Sequence, residues 1–281
     1  MIEINGLKKT YGDFQLNLSF SLAEGHVTGL VGRNGAGKST TIKAILGLIR
    51  PDAGSVTVFG RDPVRFTAED RENIGVAFSD SGFSGYLSLK DITAILGSMY
   101  RTFDKEAFLA ACKKCRLPMD KRIREYSTGM KARLRVLIAC SHKARLLILD
   151  EPTAGLDIVA RNEVLDMLRS YLAEDPGRSM LISSHISSDL EGLCDDICMI
   201  HDGKIILHEE TDVIISDYAL MKLTPALYET IDRQYLLSVR KEPYGYACLT
   251  NQRRFYAENY PEIVMEAGNV DDLIIMLSKE G

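Results

Sequence analysis

The chain has 281 residues, 46% apolar and 26% charged, and a formal net charge of −5 without any run of Lys or Arg. This composition lacks the basic surface of nucleic-acid-binding proteins, the roughly 18 to 20 apolar residues of a membrane-spanning helix, and the charged-then-apolar start of a signal peptide. We therefore expect no nucleic-acid partner and no direct membrane insertion, so that any membrane role passes through a partner chain.

The first part of the chain alternates strands with one helix. "IEIN", "FQLNLSFSL" and "HVTGLVG" predict strands, of which the second alternates apolar and polar residues. A glycine-rich turn follows, then the helix "KSTTIKAILGLI" and the short strands "SVTVF" and "IGVAF". From about residue 87 to 142 the pattern becomes helical, with Pro118 as its main break. Cys112 and Cys115 lie in this segment as a CxxC, but one helical pair is weak evidence for zinc, and we expect free thiols in a reducing cytoplasm.

The next part returns to alternating strands and helices. "RLLILD" and "SMLISS" are short apolar runs that suit buried parallel strands, and "IVARNEVLDMLRSYLA" and "ISSDLEGLC" predict helices. Asp202-Gly203 predicts a hairpin. Such alternation indicates an α/β fold with a mainly parallel core sheet covered on both faces, preceded by N-terminal strands and interrupted by the helical insertion.

After about residue 215 the composition changes. Seven of the twelve tyrosines fall between residues 218 and 260, and "VDDLIIMLSKEG" predicts a terminal helix. We expect a domain of residues 1–215 and a small α+β extension of residues 216–281. The tyrosines fit either a recognition surface or packing inside a small unit, and packing is the commoner outcome.

The segment "GRNGAGKST", residues 32–40, matches the phosphate-binding loop G-x-x-x-x-G-K-[ST] between a predicted strand and a predicted helix. Glycines let the backbone N–H groups turn toward a phosphate, and the helix N-terminus adds positive potential. Lys38 would reach the outer phosphates, and the Ser39 hydroxyl would coordinate Mg²⁺. We expect nucleotide contacts from Gly32, Asn34, Gly35, Ala36, Gly37, Lys38, Ser39 and Thr40.

Two strand ends carry the remaining candidate groups. Asp150 and Glu151 follow the strand "LLIL", at the sheet edge where parallel sheets bind ligands. Asp150 would hold Mg²⁺ through water, and Glu151 would orient or deprotonate an attacking water. A turn or a helix cap is the alternative for such a pair. His185 follows the next strand, "SMLISS", from where it would donate a hydrogen bond to a γ-phosphate. Lys38, Glu151 and His185 are thus the candidate catalytic residues.

Five motifs, in this order and at these spacings, resemble the nucleotide-binding subunit of ATP-binding cassette (ABC) transporters: the loop with Lys38, "YSTGM", "LLILDEP", "GLD" and His185. The resemblance covers roughly residues 1–215. It implies a P-loop NTPase fold, ATP and Mg²⁺ as ligands, and ATP hydrolysis coupled to transport. It also implies that two subunits pair head-to-tail, so that ATP closes the dimer and hydrolysis opens it.

The resemblance also implies roles for single residues. Tyr11 matches the aromatic residue that stacks on adenine, and Asp157 matches an aspartate at the contact between subunits. Ser127 and Gly129 match the signature motif, which caps the ATP held by the other subunit. The matched signature residues are Tyr126, Ser127, Thr128, Gly129 and Met130, where Thr replaces a Gly and Met replaces a Gln.

A second departure concerns a glutamine that usually follows the fourth strand and senses Mg²⁺. It is missing from "IGVAFSDSGFSGY", where Ser79 or Asp80 takes its place as a metal-ligand candidate. With "YSTGMKARL", this departure resembles the branch that serves ABC-2-type exporters, whose permease is a separate protein. The expected location is cytoplasmic, peripheral on the inner face of the membrane through that permease, with the helical segment of about residues 79–140 contacting it. An ATP-binding regulatory switch with little turnover is the alternative function.

Overall fold

The computed structural model of the chain describes residues 1–78 and 83–278, apart from the side chains of Ser187 and Ser188. It begins with a three-stranded antiparallel sheet in the order β2-β1-β4. These strands are β1 (Ile2–Tyr11), β2 (Phe14–Leu22) and β4 (Ala53–Val58). The alternating pattern of "FQLNLSFSL" becomes alternating burial along β2, because successive side chains point to opposite faces of a strand.

A six-stranded sheet forms the centre of the molecule, in the order β5-β6-β7-β3-β8-β9. Its strands are β3 (Val27–Val31), β5 (Ile74–Ala77), β6 (Leu146–Asp150), β7 (Ser179–Ser184), β8 (Asp196–His201) and β9 (Lys204–Glu210). The pairs are parallel except for β8 with β9, which form the predicted hairpin. Every residue of β3, β6 and β7 is buried, as their apolar runs predict for a sheet covered on both faces.

Each face of the central sheet has its own apolar cluster. On one face Leu30, Ile148 and Leu181 pack with the N-terminal sheet and with α1 (Lys38–Ile45). On the other face Leu149 and Ile182 pack with further helices. The helices outside the insertion and the C-terminal unit are α2 (Ala68–Glu72), α6 (Ile158–Ala173), α7 (Ser187–Glu191) and α8 (Thr211–Asp217), besides α1.

The helical insertion consists of α3 (Leu89–Met99), α4 (Lys105–Lys114) and α5 (Thr128–Cys140). It has its own apolar cluster, which includes Leu89, Leu96, Phe108 and Leu134. Side-chain caps begin each helix, which satisfies N–H groups that have no partner within the helix. α5 also packs against α6 and β5, so the insertion is joined to the central sheet through this helix.

The C-terminal unit is an α+β unit built on a separate four-stranded sheet. Its strand order is β11-β12-β10-β13, and all pairs are antiparallel. With two helices between its strands, this is the β-α-β-β-α-β arrangement called ferredoxin-like. Its elements are β10 (Ala219–Leu223), α9 (Pro225–Thr230), β11 (Leu236–Glu242), β12 (Gly245–Thr250), α10 (Arg253–Asn259), β13 (Val264–Ala267) and α11 (Val270–Leu277).

The two faces of this C-terminal sheet have different neighbours. Met221 and Cys248 face an aromatic-rich cluster with the buried Tyr256, and Tyr228 stacks on Tyr246 with ring centroids 4.0 Å apart. Leu249 and α11 instead belong to the same apolar cluster as the central sheet. The tyrosines therefore serve largely in packing, and the C-terminal unit is joined to the rest of the protein by a continuous core.

Candidate functional site

The loop between β3 and α1 depends on glycine at two positions. Gly32 has φ +152°, and a Cβ there would lie 2.3 Å from the carbonyl oxygen of Ile200. Gly37 has φ +116°, and a Cβ there would lie 2.6 Å from Leu16 Cδ1 in β2. Larger residues are therefore excluded both by conformation and by space, so that the loop stays tight against β2 and β8.

Lys38 begins α1 and is 6% exposed. Its Nζ donates to the carbonyl of Gly32 at 2.7 Å, so the ammonium group folds back over its own loop. It also lies 3.4 Å from Glu151 Oε1. The cation is thus held between the phosphate loop and the turn after β6, as expected of a group that binds outer phosphates.

Asp150, at the end of β6, is 7% exposed, and both of its carboxylate oxygens accept hydrogen bonds. Ser39 Oγ donates to one at 2.8 Å, and Ser183 Oγ donates to the other at 2.6 Å. A hydroxyl and a carboxylate side by side at a phosphate loop are hard oxygen ligands, which Mg²⁺ prefers. Ser39 and Asp150 therefore fit a magnesium ion.

Glu151 follows Asp150 in a left-handed conformation, with φ +52°. Its backbone N–H donates to the Ser183 carbonyl at 3.2 Å and lies 3.0 Å from the Ser183 hydroxyl, which fixes this uncommon geometry. The turn directs its carboxylate toward His185, whose Nδ1 lies 2.5 Å from Glu151 Oε2. Glu151 thus contacts both of the other candidate catalytic residues, Lys38 and His185.

The other loop residues surround this centre. Ala36 is buried and its carbonyl accepts from Gly203, whereas Asn34 and Gly35 are exposed and Thr40 is half-buried. Tyr11 ends β1 with 48% of its surface exposed, and Lys9 Nζ lies 5.6 Å from its ring centroid. Ser79 and Asp80, the metal-ligand candidates for the missing glutamine, lie outside the described residues.

The signature segment forms the start of α5. Ser127 caps α5, and its Oγ accepts from the N–H of Met130 at 3.2 Å. Gly129 faces α6, where a Cβ would lie 3.1 Å from Ala160 Cβ, and Asp157 caps α6. The starts of α5 and α6 therefore bring Ser127, Gly129 and Asp157 to one surface. None of the hydrogen bonds of Ser127 within residues 1–78 and 83–278 reaches the phosphate loop of its own chain.

Sequence reasoning did not select Ser183, although this residue contacts both acidic groups. It lies opposite Asp150 in the parallel register of β6 and β7. The sequence signal for Ser183 was its polar side chain near the end of "SMLISS". This strand is buried throughout and lies next to the strand that ends in Asp150. Finding it requires the strand pairing, which the sequence does not state.

Comparisons with known proteins identify the family of this chain. The family model described as "ABC transporter" matches residues 16–154. The lantibiotic transport ATP-binding protein SrtF of Streptococcus pyogenes is 37% identical over 220 residues, which are 75% of this chain and 92% of that protein. The chain belongs to the ABC transporter family. It is an ATP-binding ATPase subunit of that family, and the prediction from its motifs is confirmed.

Two further relatives indicate the branch. The Nod factor export ATP-binding protein I of Bradyrhizobium sp. (strain SNU001) is 34% identical, over 77% of this chain and 72% of that protein. The bacitracin transport ATP-binding protein BcrA of Bacillus licheniformis is 35% identical, over 73% of this chain and 68% of that protein. These relatives confirm the resemblance to the exporter branch of the family.

Solved structures give the fold. The ATP-binding subunit of an ABC transporter superposes with a TM-score of 0.67 at 26% identity, over 76% of this chain and 91% of that one. The cassette MJ0796, solved as a dimer in a post-hydrolysis state bound to ADP and Pi, also has a TM-score of 0.67, at 21% identity over 75% of this chain and 99% of that one. The predicted P-loop NTPase fold is confirmed. Among the described residues, the helices are too short or too polar to cross a membrane.

Proposed function

We propose that this subunit hydrolyses ATP at its phosphate loop to power export through a separate ABC-2-type permease. The observation that carries the proposal is the set of contacts among five groups at one sheet edge: Ser39 with Asp150, and Glu151 with both Lys38 and His185. The names of the relatives SrtF, BcrA and Nod factor export protein I support transport and export as the purpose of that hydrolysis.

Each of these groups has a role that its position supports. The Lys38 ammonium binds the outer phosphates and offsets the negative charge of the transition state. Glu151 is the group that orients and deprotonates the attacking water. His185 holds Glu151 until the γ-phosphate takes over as its hydrogen-bond partner. Ser39 and Asp150 would hold Mg²⁺, which would supply positive charge at the outer phosphates, and Ser79 or Asp80, outside the described residues, is the candidate for a further ligand.

The site is proposed to be completed by a second subunit. Ser127 and Gly129 lie at the start of α5, where Ser127 is exposed and the N-terminal N–H groups suit a phosphate, and Asp157 lies on the same surface. Because none of the hydrogen bonds of Ser127 among the described residues reaches its own phosphate loop, we assign this surface to the ATP of the partner subunit in a head-to-tail dimer, either a homodimer or a pair with a close paralogue. Tyr11, with half of its ring exposed, is assigned to the adenine.

The remaining proposals concern location and organisation. The subunit works in the cytoplasm, on the inner face of the membrane, and reaches the permease through its helical insertion. Residues 1–215 form the ATPase domain and residues 216–281 an extension. The extension is supported as a separate unit by its own sheet, which begins at Ala219, and by its own aromatic-rich cluster.

The proposed role of Glu151 is tested by phosphate release under multiple-turnover conditions with Mg-ATP. Glu151→Gln should lower turnover by at least about 100-fold, since general base catalysis contributes roughly 10²- to 10⁴-fold. Glu258→Gln is the matched control, because Glu258 pairs with Arg254 on the exposed face of α10, and it should leave turnover unchanged. Equal turnover in Glu151→Gln and wild type would refute the assignment. A wild type that binds ATP without turnover would favour the regulatory switch.

The shared site is tested by Ser127→Arg. This variant should abolish turnover while the monomer still binds ATP, measured by a fluorescent nucleotide at low protein concentration. Ser98→Arg, also exposed in the helical insertion, is the control for an added arginine. If Ser127→Arg lost ATP binding in the monomer, Ser127 would belong to the site or the fold of its own chain.

A further inference from the structure

Asp189 is a carboxylate that lies 0% exposed in the short helix α7, four residues after His185. Both of its carboxylate oxygens accept hydrogen bonds. Oδ2 accepts from the Thr153 hydroxyl at 2.6 Å, and Oδ1 accepts from the guanidinium group of Arg161. A buried carboxylate is costly unless such partners satisfy it, so this group and its two partners constrain one another.

The two partners belong to the segments that carry the catalytic and interface candidates. Thr153 is 1% exposed, two residues after Glu151, and its carbonyl accepts from Leu156 at 3.3 Å. Arg161 lies in the first turn of α6, where its N–H donates at 2.9 Å to the carbonyl of Asp157. Asp189 therefore joins the turn after Glu151, the start of α6 and the segment that follows His185.

We propose that Asp189 is a positioning residue that fixes the distance between Glu151 and His185 and couples both to the turn that ends at Asp157. The contact between Glu151 and His185 spans two strand ends, β6 and β7, that are held together at Asp150 and Ser183. Beyond the strands, the Thr153–Asp189 hydrogen bond is a second connection between these segments. With both connections in place, neither side chain moves independently of the other.

This inference rests on the proposed roles of Glu151 and His185, and it adds a consequence for turnover. A small displacement of a group that orients the reacting water lowers the rate of the chemical step, by up to about 100-fold for 1 Å. ATP binding instead depends on the phosphate loop, which the hydrogen bonds of the Asp189 side chain in the described part of the chain do not reach. Loss of the Asp189 carboxylate should therefore lower kcat and leave the KM for ATP nearly unchanged.

The first test is Asp189→Asn, which keeps the size of the side chain but removes its charge and one acceptor oxygen. We expect kcat to fall by about 10- to 100-fold with KM for ATP within about twofold. Circular dichroism and thermal unfolding report the folded fraction, against which activity is corrected. Asp166→Asn is the matched control, since Asp166 pairs with Arg169 on the exposed face of α6, and it should have wild-type kcat.

The second test does not alter the carboxylate. Thr153→Val keeps the shape of the side chain but removes its hydroxyl, and should lower kcat as Asp189→Asn does. Thr153→Ser restores the hydroxyl and should recover most of that loss, which a purely structural role of the methyl group would not predict. The double variant of Asp189→Asn and Thr153→Val should be no slower than the slower single variant, because both remove the same connection.

The outcomes separate this inference from the proposed function. Normal kcat in folded Asp189→Asn, a raised KM with unchanged kcat, or Thr153→Ser as slow as Thr153→Val would overturn the positioning role. If Asp189→Asn does not fold, the comparison of kcat between Thr153→Val and Thr153→Ser tests the positioning role by itself. Where Glu151→Gln abolishes turnover and the Asp189 and Thr153 variants do not lower it, only the positioning role fails. Where Glu151→Gln keeps full turnover, the proposed function of Glu151 fails.

Discussion

The Ser183 hydroxyl gives a quantitative test of how the acidic end of β6 is held. Ser183 is 0% exposed, and its Oγ donates to Asp150 at 2.6 Å. Ser183→Ala removes this hydrogen bond and the neutral one that the hydroxyl accepts from the Glu151 N–H, and it leaves an almost buried carboxylate with one partner fewer. Hydrogen bonds to charged groups contribute about 1.5 to 3 kcal/mol, so the free energy of unfolding should fall by that amount.

The same strand offers a matched control. Ser179 is also 0% exposed, but its hydroxyl bonds to two neutral backbone groups, the N–H of Gly25 at 2.9 Å and the carbonyl of Ala23 at 3.2 Å. Ser179→Ala should cost about 1 kcal/mol, the usual size for neutral partners. The difference between the two alanine variants then measures the contribution of the charge on Asp150.

Urea unfolding at equal slopes gives both free energies. At about 2 to 4 °C per kcal/mol, the melting temperature of Ser183→Ala should fall by about 3 to 12 °C. In an Asp150→Asn background the cost of Ser183→Ala should shrink to that of the control, because the charge is gone. Equal costs for Ser183→Ala and Ser179→Ala, or an unchanged cost in that background, would refute the reasoning.

Three other predictions concern the loop, a buried histidine and the C-terminal unit. Gly37→Ala combines a strained φ of +116° with a Cβ 2.6 Å from Leu16 Cδ1 and should abolish binding of a fluorescent ATP analogue. Gly35→Ala also has a strained φ, of +84°, but its Cβ meets open space, so it should bind the analogue more tightly than Gly37→Ala; equal affinities would contradict this. Burial lowers the pKa of His142 below its usual 6.5, so stability that is present above pH 6.5 is lost as the pH falls toward the lowered pKa. Between pH 7.5 and 5.5, wild type should therefore lose more of its unfolding free energy than His142→Phe, by at most about 1.4 kcal/mol because one pH unit of this window lies below 6.5, and parallel pH profiles would argue against it. Truncation after residue 217 uncovers the apolar cluster that α11 shares with the central sheet and should lower the melting temperature and raise binding of a hydrophobic dye; unchanged values would refute the common core.

Much of the fold was predictable because its signals are local. The run "SMLISS" became β7 and "IVARNEVLDMLRSYLA" became α6 with the predicted boundaries, and "RLLILD" became β6, which begins one residue later at Leu146. The hairpin at Asp202-Gly203 formed as well, since both residues adopt the positive φ that such a turn requires. The 3-residue and 5-residue helices between β4 and β5 were not predicted, because such short segments carry little periodicity.

The sequence by itself determined the chemistry of this protein. Each motif is a short contiguous segment whose residue types suit the binding of phosphate or of an attacking water. These segments are the loop at residues 32–40, the acidic pair Asp150 and Glu151, and the signature at Ser127. Their order and spacing along the chain were enough to indicate the family, because each motif supports the interpretation of the others.

The tertiary structure alone decided what supports that chemistry. Ser183 meets Asp150 across two strands, and Asp189 meets Thr153 from 36 residues away in the chain. The C-terminal unit likewise joins the core through α11. Such contacts depend on strand order and helix packing, and a single polar residue in a buried segment has no periodic pattern that names its partner. Only the folded chain shows that the hydrogen bonds of Ser127 among the described residues stay within its own helix, at the surface assigned to a second subunit.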